Sequence, residues 1–154
     1  MDYMQTAEFR ESKINISKKA LRSLIKLNLS TSDEDCRFLL SKNPGPEDLI
    51  IIITHNITYR IQAWDLLKKG SPTFSQLERV VIYCSDIRKE AFELIMNKKP
   101  NKKVLLKLIE VEEIDLQIWE KLKKKPLTRE DIILIQYWTN NSNIKSELTG
   151  YYTS

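Results

Sequence analysis

Few residues in this chain have the type and spacing to do covalent chemistry. The one histidine, His55, stands between Thr54 and Asn56, at the predicted end of a helix where an imidazole can offset the C-terminal dipole. A general base needs a nucleophile to activate or a third group to orient it, and nothing in the sequence pairs with His55 in that way. Of the two cysteines, Cys84 in "VVIYCSD" falls on a core-facing position and reads as a buried thiol, while Cys36 lies between Asp35 and Arg37 without an assignable role. Two cysteines make neither a disulfide framework nor a zinc site. The 21 acidic residues are scattered, with no pair set at the separation that acid–base hydrolysis requires. Glycine occurs only at 45, 70 and 150, which leaves no room for a phosphate-binding loop. The expectation is a protein without catalytic residues, metal or cofactor, and so not an enzyme.

Charge is the sharper signal. Lys42, then Lys68 and Lys69, then Lys98 and Lys99, then Lys123, Lys124 and Lys125 fall at one recurring place. Between residues 68 and 125 there are 14 Lys and Arg against 9 Asp and Glu, an excess above the +4 of the whole chain. Lined up along a repeat, these lysines would form a basic edge able to contact an acidic protein surface or phosphates. The same lysines also coincide with predicted helix C-termini, where they offset the macrodipole without any partner. Trp64, Phe92 and Trp119 could likewise build an aromatic ladder for a ligand, but aromatics beside an apolar stripe read first as packing between repeats.

The elements that position these residues recur. Pro44, Pro72 and Pro100 are spaced by 28 residues, and Pro126 follows after 26. "YRIQAWDLL" from Tyr59 aligns with "IRKEAFELI" from Ile87 and "IDLQIWEKL" from Ile114. Equivalent columns read Ala63, Ala91, Ile118; Trp64, Phe92, Trp119; and Asp65, Glu93, Glu120. Each period holds two apolar segments with helical spacing: Ile87, Ala91, Leu94 and Ile95 in the first, Leu77, Val80, Val81 and Cys84 in the second. Thr73 with Gln76 and Thr128 with Asp131 have the capping-box spacing, and Gly70 sits where a helix end favours positive φ. The β-branched run "LIIII" from Leu49 would pass for a buried strand on its own; its slot is that of "LERVV" and "LLKLI", which predicts a helix. A unit of two short helices cannot bury its own apolar face and must stack on its neighbours.

The fold expected is therefore all-α, an α-solenoid of stacked helix–turn–helix repeats in a HEAT/armadillo-like superhelix. Residues 1–16 form an N-terminal segment with little to hold it. One domain covers 17–149, with an N-terminal cap at 17–43 (Ala20, Leu21, Leu24 and Ile25 on one stripe after Ser17), repeats at about 44–71, 72–99 and 100–125, and a C-terminal cap at 126–149. "NNSNIKSELTG" is expected to add one short turn, and the tail "YYTS" to be loose. The segments "AWDLLKKGSPTFSQLERVV" and "AFELIMNKKPNKKVLLKLI" resemble the short helical repeats in the C-terminal regions of bacterial NACHT-type NTPases, over roughly Asp35 to Trp138. The resemblance implies a recognition or scaffolding surface and specifies no active site. The expected function is a non-catalytic protein-interaction module with a protein partner; the alternative is nucleic-acid binding through the lysine-lined edge of Lys68, Lys69, Lys98, Lys99, Lys123, Lys124 and Lys125. No apolar run reaches membrane-spanning length and no secretory h-region opens the chain, so a cytoplasmic setting is expected.

Overall fold

The computed structural model describes residues 33–153. The N-terminal segment 1–16, and the part of the N-terminal cap that carries Ser17, Ala20, Leu21, Leu24 and Ile25, lie outside the described residues. Among those described there are nine helices and no strand: α1 (Asp33–Ser41), α2 (Pro46–His55), α3 (Arg60–Lys69), α4 (Phe74–Tyr83), α5 (Arg88–Asn97), α6 (Lys102–Leu108), α7 (Asp115–Leu122), α8 (Arg129–Trp138) and α9 (Ser142–Thr153). The chain divides into two units, residues 1–84 and 85–154.

In the first unit α1 packs on α2, and α2 packs on both α3 and α4. The "LIIII" run is helical, and Leu49 to Ile53 are all buried within α2. A helix apolar on every side needs neighbours on every side, and α2 has three. Its start is built locally: Pro46 supplies the pre-set φ of a first helical residue, and the Gly45 amide donates to the Asp48 carboxylate at 2.9 Å. These features outweigh the modest helix propensity of isoleucine.

In the second unit α6 packs on α7 and α8, and α8 on α9. Even-numbered helices thus open each period and odd-numbered ones close it. Within either unit an even helix contacts the helix after it and, where described, the next even helix. Backbone geometry recurs with the period. Tyr59, Ile87 and Ile114 precede α3, α5 and α7 with φ −102, −118 and −124 and ψ 5, 9 and 0. Their carbonyls accept from Ala63, Ala91 and Ile118, members of the small or apolar column. Trp64, Phe92 and Trp119, together with Ala63, Ala91 and Ile118, are buried, as expected for packing positions.

Both predicted capping boxes form. Thr73 Oγ1 accepts from the Gln76 amide at 3.2 Å while Gln76 Oε1 accepts from the Thr73 amide at 3.0 Å; Thr128 and Asp131 repeat the exchange at 3.1 and 2.8 Å. Gly70 is a correction. Its φ is −91, and the left-handed residue is the next one, Ser71, at φ 56. Asn43 (φ 54) and Lys99 (φ 55) hold the equivalent places, each just before the proline. At all three junctions the residue before the left-handed one donates to a carbonyl three residues back: Lys42 to Leu39, Gly70 to Leu67, Lys98 to Ile95. The C-cap amide is thereby satisfied first, and the reversal of φ falls one residue later. The C-terminus is a second correction: instead of a short turn and a loose tail, α9 is a twelve-residue helix that includes Tyr151 and Thr153.

The fourth junction differs for a covalent reason. Lys125 still donates to Leu122 at 2.9 Å, but the next residue is Pro126. Proline fixes φ near −65°, so the left-handed conformation is closed to it, and Leu127 stands where the other junctions carry proline. The spacing of 26 is thus a displaced proline, since the caps Asn101 and Thr128 are 27 residues apart.

Candidate functional site

The lysines occupy the ends of the odd helices. In the first unit Lys42 follows α1, and its ammonium lies 5.3 Å from the centre of the Phe38 ring. Lys68 and Lys69 close α3; Lys68 pairs with Asp65 at 3.2 Å and lies 5.6 Å from the centre of the Trp64 ring. In the second unit Lys98 and Lys99 follow α5, and Lys123, Lys124 and Lys125 follow α7. Lys123 pairs with Glu120 at 2.8 Å and Glu147 at 3.6 Å, and the hydrogen bond it donates to Glu120 leads the contacts that raise its pKa above the ordinary lysine value. Lys68 and Lys123 hold equivalent positions and each binds the acid three residues earlier. That pairing is the local helix-surface interaction, and it ties both side chains to their own helices. Lys69, Lys98, Lys99 and Lys124 are exposed.

The other chemistry-bearing residues are dispersed. Cys84 is buried, its thiol donating to the Ile53 carbonyl at 3.5 Å, as its core-facing position implied. Cys36 is also buried; burial pushes its thiol up to about 12, with the carboxylates of Asp35 and Asp33 adding to the shift. It is therefore a protonated thiol at neutral pH. His55 is the last residue of α2 and lines an open cleft of about 370 Å³ with Thr54, Arg79 and Tyr83. Thr54 Oγ1 donates back to the Ile50 carbonyl at 2.8 Å, and Arg79 reaches Glu47 at 3.7 Å. The cleft sits against two helix C-termini, whose carbonyls oppose an anion.

The acids between α4 and α5 and between α6 and α7, with Asp115 at the start of α7, are partly engaged. Glu113 accepts from Arg88 at 3.1 Å, and the buried Asp115 accepts from the Asn141 amide at 3.4 Å. Glu112, Asp115, Asn140 and Asn141 line a second cleft, of about 300 Å³. Asp86, Glu110 and Glu112 are exposed.

Sequence reasoning missed one surface. On α8, Ile133, Leu134, Tyr137 and Trp138 are 52%, 45%, 76% and 46% exposed, and the Tyr137 and Trp138 rings meet edge to face at 5.0 Å. They stand five, six, nine and ten residues after the N-cap. At the first two of these places α2 carries Ile50 and Ile51, both buried. At all four, α4 carries Glu78, Arg79, Ile82 and Tyr83, and α6 carries Leu106 and Lys107, followed by Glu110 and Val111. Counting from the cap would have shown the apolar character of α8, but "LIIII" shares the pattern at those first two places and is buried. Compared with models of known protein families, with curated proteins and with solved structures, the chain matches none.

Proposed function

We propose that this chain is a protein-interaction module: a short α-solenoid of HEAT/armadillo-like repeats that presents a partner-binding surface and carries no catalytic centre of its own. The reading is supported by the recurrence of one backbone arrangement. Three left-handed junctions at Asn43, Ser71 and Lys99 repeat with the sequence period, and the columns between them go to packing. A stack of this kind commits its recurring spacing to its interior and leaves recognition to exposed side chains. Among the described residues no helix is long and apolar enough to cross a membrane, and the reading places the module in the cytoplasm.

Affinity capture from the native cell, with and without nuclease, tests it. A protein partner recovered after nuclease treatment is the expected result. Recovery that disappears with nuclease supports nucleic-acid binding through Lys68, Lys69, Lys98, Lys99, Lys123, Lys124 and Lys125. In that case replacing Lys68, Lys69, Lys98, Lys99, Lys124 and Lys125 by glutamine flattens the salt dependence of binding while the helical fold persists.

A further inference from the structure

We infer that the bare face of α8, formed by Ile133, Leu134, Tyr137 and Trp138, is the seat of an amphipathic helix from a partner protein, one with acidic residues at the end that lies beside the α7–α8 turn. The inference rests on the interaction-module reading and supplies the chemical class of the partner.

The matching positions of α2 are covered. In the first unit α2 packs against α1, α3 and α4, and Ile50 and Ile51 at the fifth and sixth positions after the cap are 0% and 1% exposed. α8 packs on α6 and α9, and no even helix follows it among the described residues. Its fifth and sixth positions are apolar, and the ninth and tenth are tyrosine and tryptophan, the side chains that concentrate binding energy when an interface excludes water from them. A patch of four contiguous large side chains left in solvent marks an interaction surface. α4 and α6 carry charge at the sixth position, Arg79 and Lys107, so the apolar surface belongs to α8 and is not a general property of even helices.

Charge selects among helices. Lys121, Lys124 and Arg129 are exposed and Lys125 is half-buried, all within the turn that enters α8 or next to it. Of the nearby acids, Glu120 pairs with Lys123 and Asp131 with Lys102 at 2.6 Å, so that the exposed Glu130 offsets one of these four positive charges and the end of α8 keeps a positive excess. The N-terminal end of α8 adds its own positive dipole. A partner helix lying along α8 therefore meets an apolar strip flanked at one end by positive charge, and acidic residues there are favoured over basic ones. The four side chains cover too little area to hold two copies of the chain together unaided, because a stable pair buries about 800 Å² per partner.

The test uses two labelled synthetic helical peptides of about 14 residues, long enough to span α8. They share one leucine stripe at i, i+3, i+4 and i+7, and are flanked by glutamates in one and lysines in the other. Each is titrated into the full chain by fluorescence anisotropy. The glutamate peptide is expected to saturate, and Tyr137→Ser with Trp138→Ser to weaken it by about ten-fold or more. Lys124→Gln with Lys125→Gln should weaken it by about three-fold and flatten its salt dependence. Tyr137→Ser alone, at the most exposed of the four positions, serves as the variant whose fold is least at risk, and circular dichroism checks all of them. Three results would overturn the inference: no saturation by about 1 mM peptide, equal binding of the lysine peptide, or binding indifferent to Tyr137 and Trp138. A dimer in sedimentation that Trp138→Ser dissociates would overturn it too, assigning the face to a second copy. A protein captured from cells by a chain that binds neither peptide sinks this inference and leaves the interaction reading standing.

Discussion

α2 and α8 hold the same place in the repeat, and each has an aspartate at the third helical position whose carboxylate accepts from the N-cap amide. Both carry an isoleucine five residues after the cap and a branched aliphatic six after it. In α2 these are buried; in α8 about half of each is in solvent. An apolar pattern thus states what a helix is able to bury, and the neighbours state what it does bury. α2 has three packing partners within its unit, including the next even helix, while α8 has two in its own. The approach to each helix differs as well: Asn43 takes the left-handed conformation before α2, and Pro126 forbids it before α8.

The largest effects should come from burial. Trp119→Ala removes a buried ring whose Nε1 donates to Glu147 Oε2 at 2.9 Å, one repeat further on, and is expected to cost about 3–5 kcal/mol. Trp64→Ala should cost the same. Trp138→Ala, in the same unit as Trp119, should stay within about 0.5 kcal/mol. Ile51→Ala is expected to cost about 2–5 kcal/mol, against little for Leu134→Ala. Chemical denaturation of the five variants measures the contrast, and equal losses for Leu134 and Ile51 would mean that α8 is covered as α2 is.

Asn43→Pro comes next. It forces a φ near −65° on a residue now at 54, and a loss of about 3 kcal/mol is expected. Pro126→Ala should cost far less, since nothing at that junction relies on a left-handed residue. Similar melting temperatures for Asn43→Pro and wild type would refute the conformational account of the junctions.

The caps give smaller effects. Thr128→Ala removes the acceptor for the Asp131 amide and should cost about 1 kcal/mol. Gly45→Ser adds a side-chain oxygen to α2; its Cβ would lie 3.8 Å from Asp48 Oδ2, an ordinary contact, and a gain of a few tenths of a kcal/mol is expected. Reversed signs in thermal melts would show that the two helix starts differ more than their shared aspartates suggest.

Acid should expose a difference at α8. Burial works to raise the pKa of Asp131, but the Lys102 ion pair and the Thr128 donors outweigh it and hold the carboxyl below its ordinary value. A folded-state pKa below the unfolded one adds stability that is present above the unfolded value, about 3.9, and is lost as pH falls through the folded value. Below about pH 4 the wild type should therefore lose stability more steeply than Asp131→Asn. Parallel pH profiles for the two would remove the ion pair from the account of how α8 is anchored.

Much of the helical framework was legible in the residues because it is local. Thr73 with Gln76, and Thr128 with Asp131, satisfy backbone donors within one turn, so spacing alone foretells both the bond and the helix start. The period placed Trp64, Phe92 and Trp119 in one column, and all three are buried. Gly70 was misread through a rule about glycine, whereas the period pointed to the residue before each proline, the place where φ reverses. What the sequence could not contain was the outcome of packing. Ile50 and Ile51 are matched in type by Ile133 and Leu134, and whether such a side chain meets protein or water depends on helices that arrive from elsewhere in the chain. Local hydrogen bonds and the covalent limit of proline determined where the helices begin and end. Only the tertiary structure decided that Ile50 and Ile51 lie beneath their neighbours while Ile133, Leu134, Tyr137 and Trp138 remain in solvent, because burial is a property of the surroundings and not of the residue.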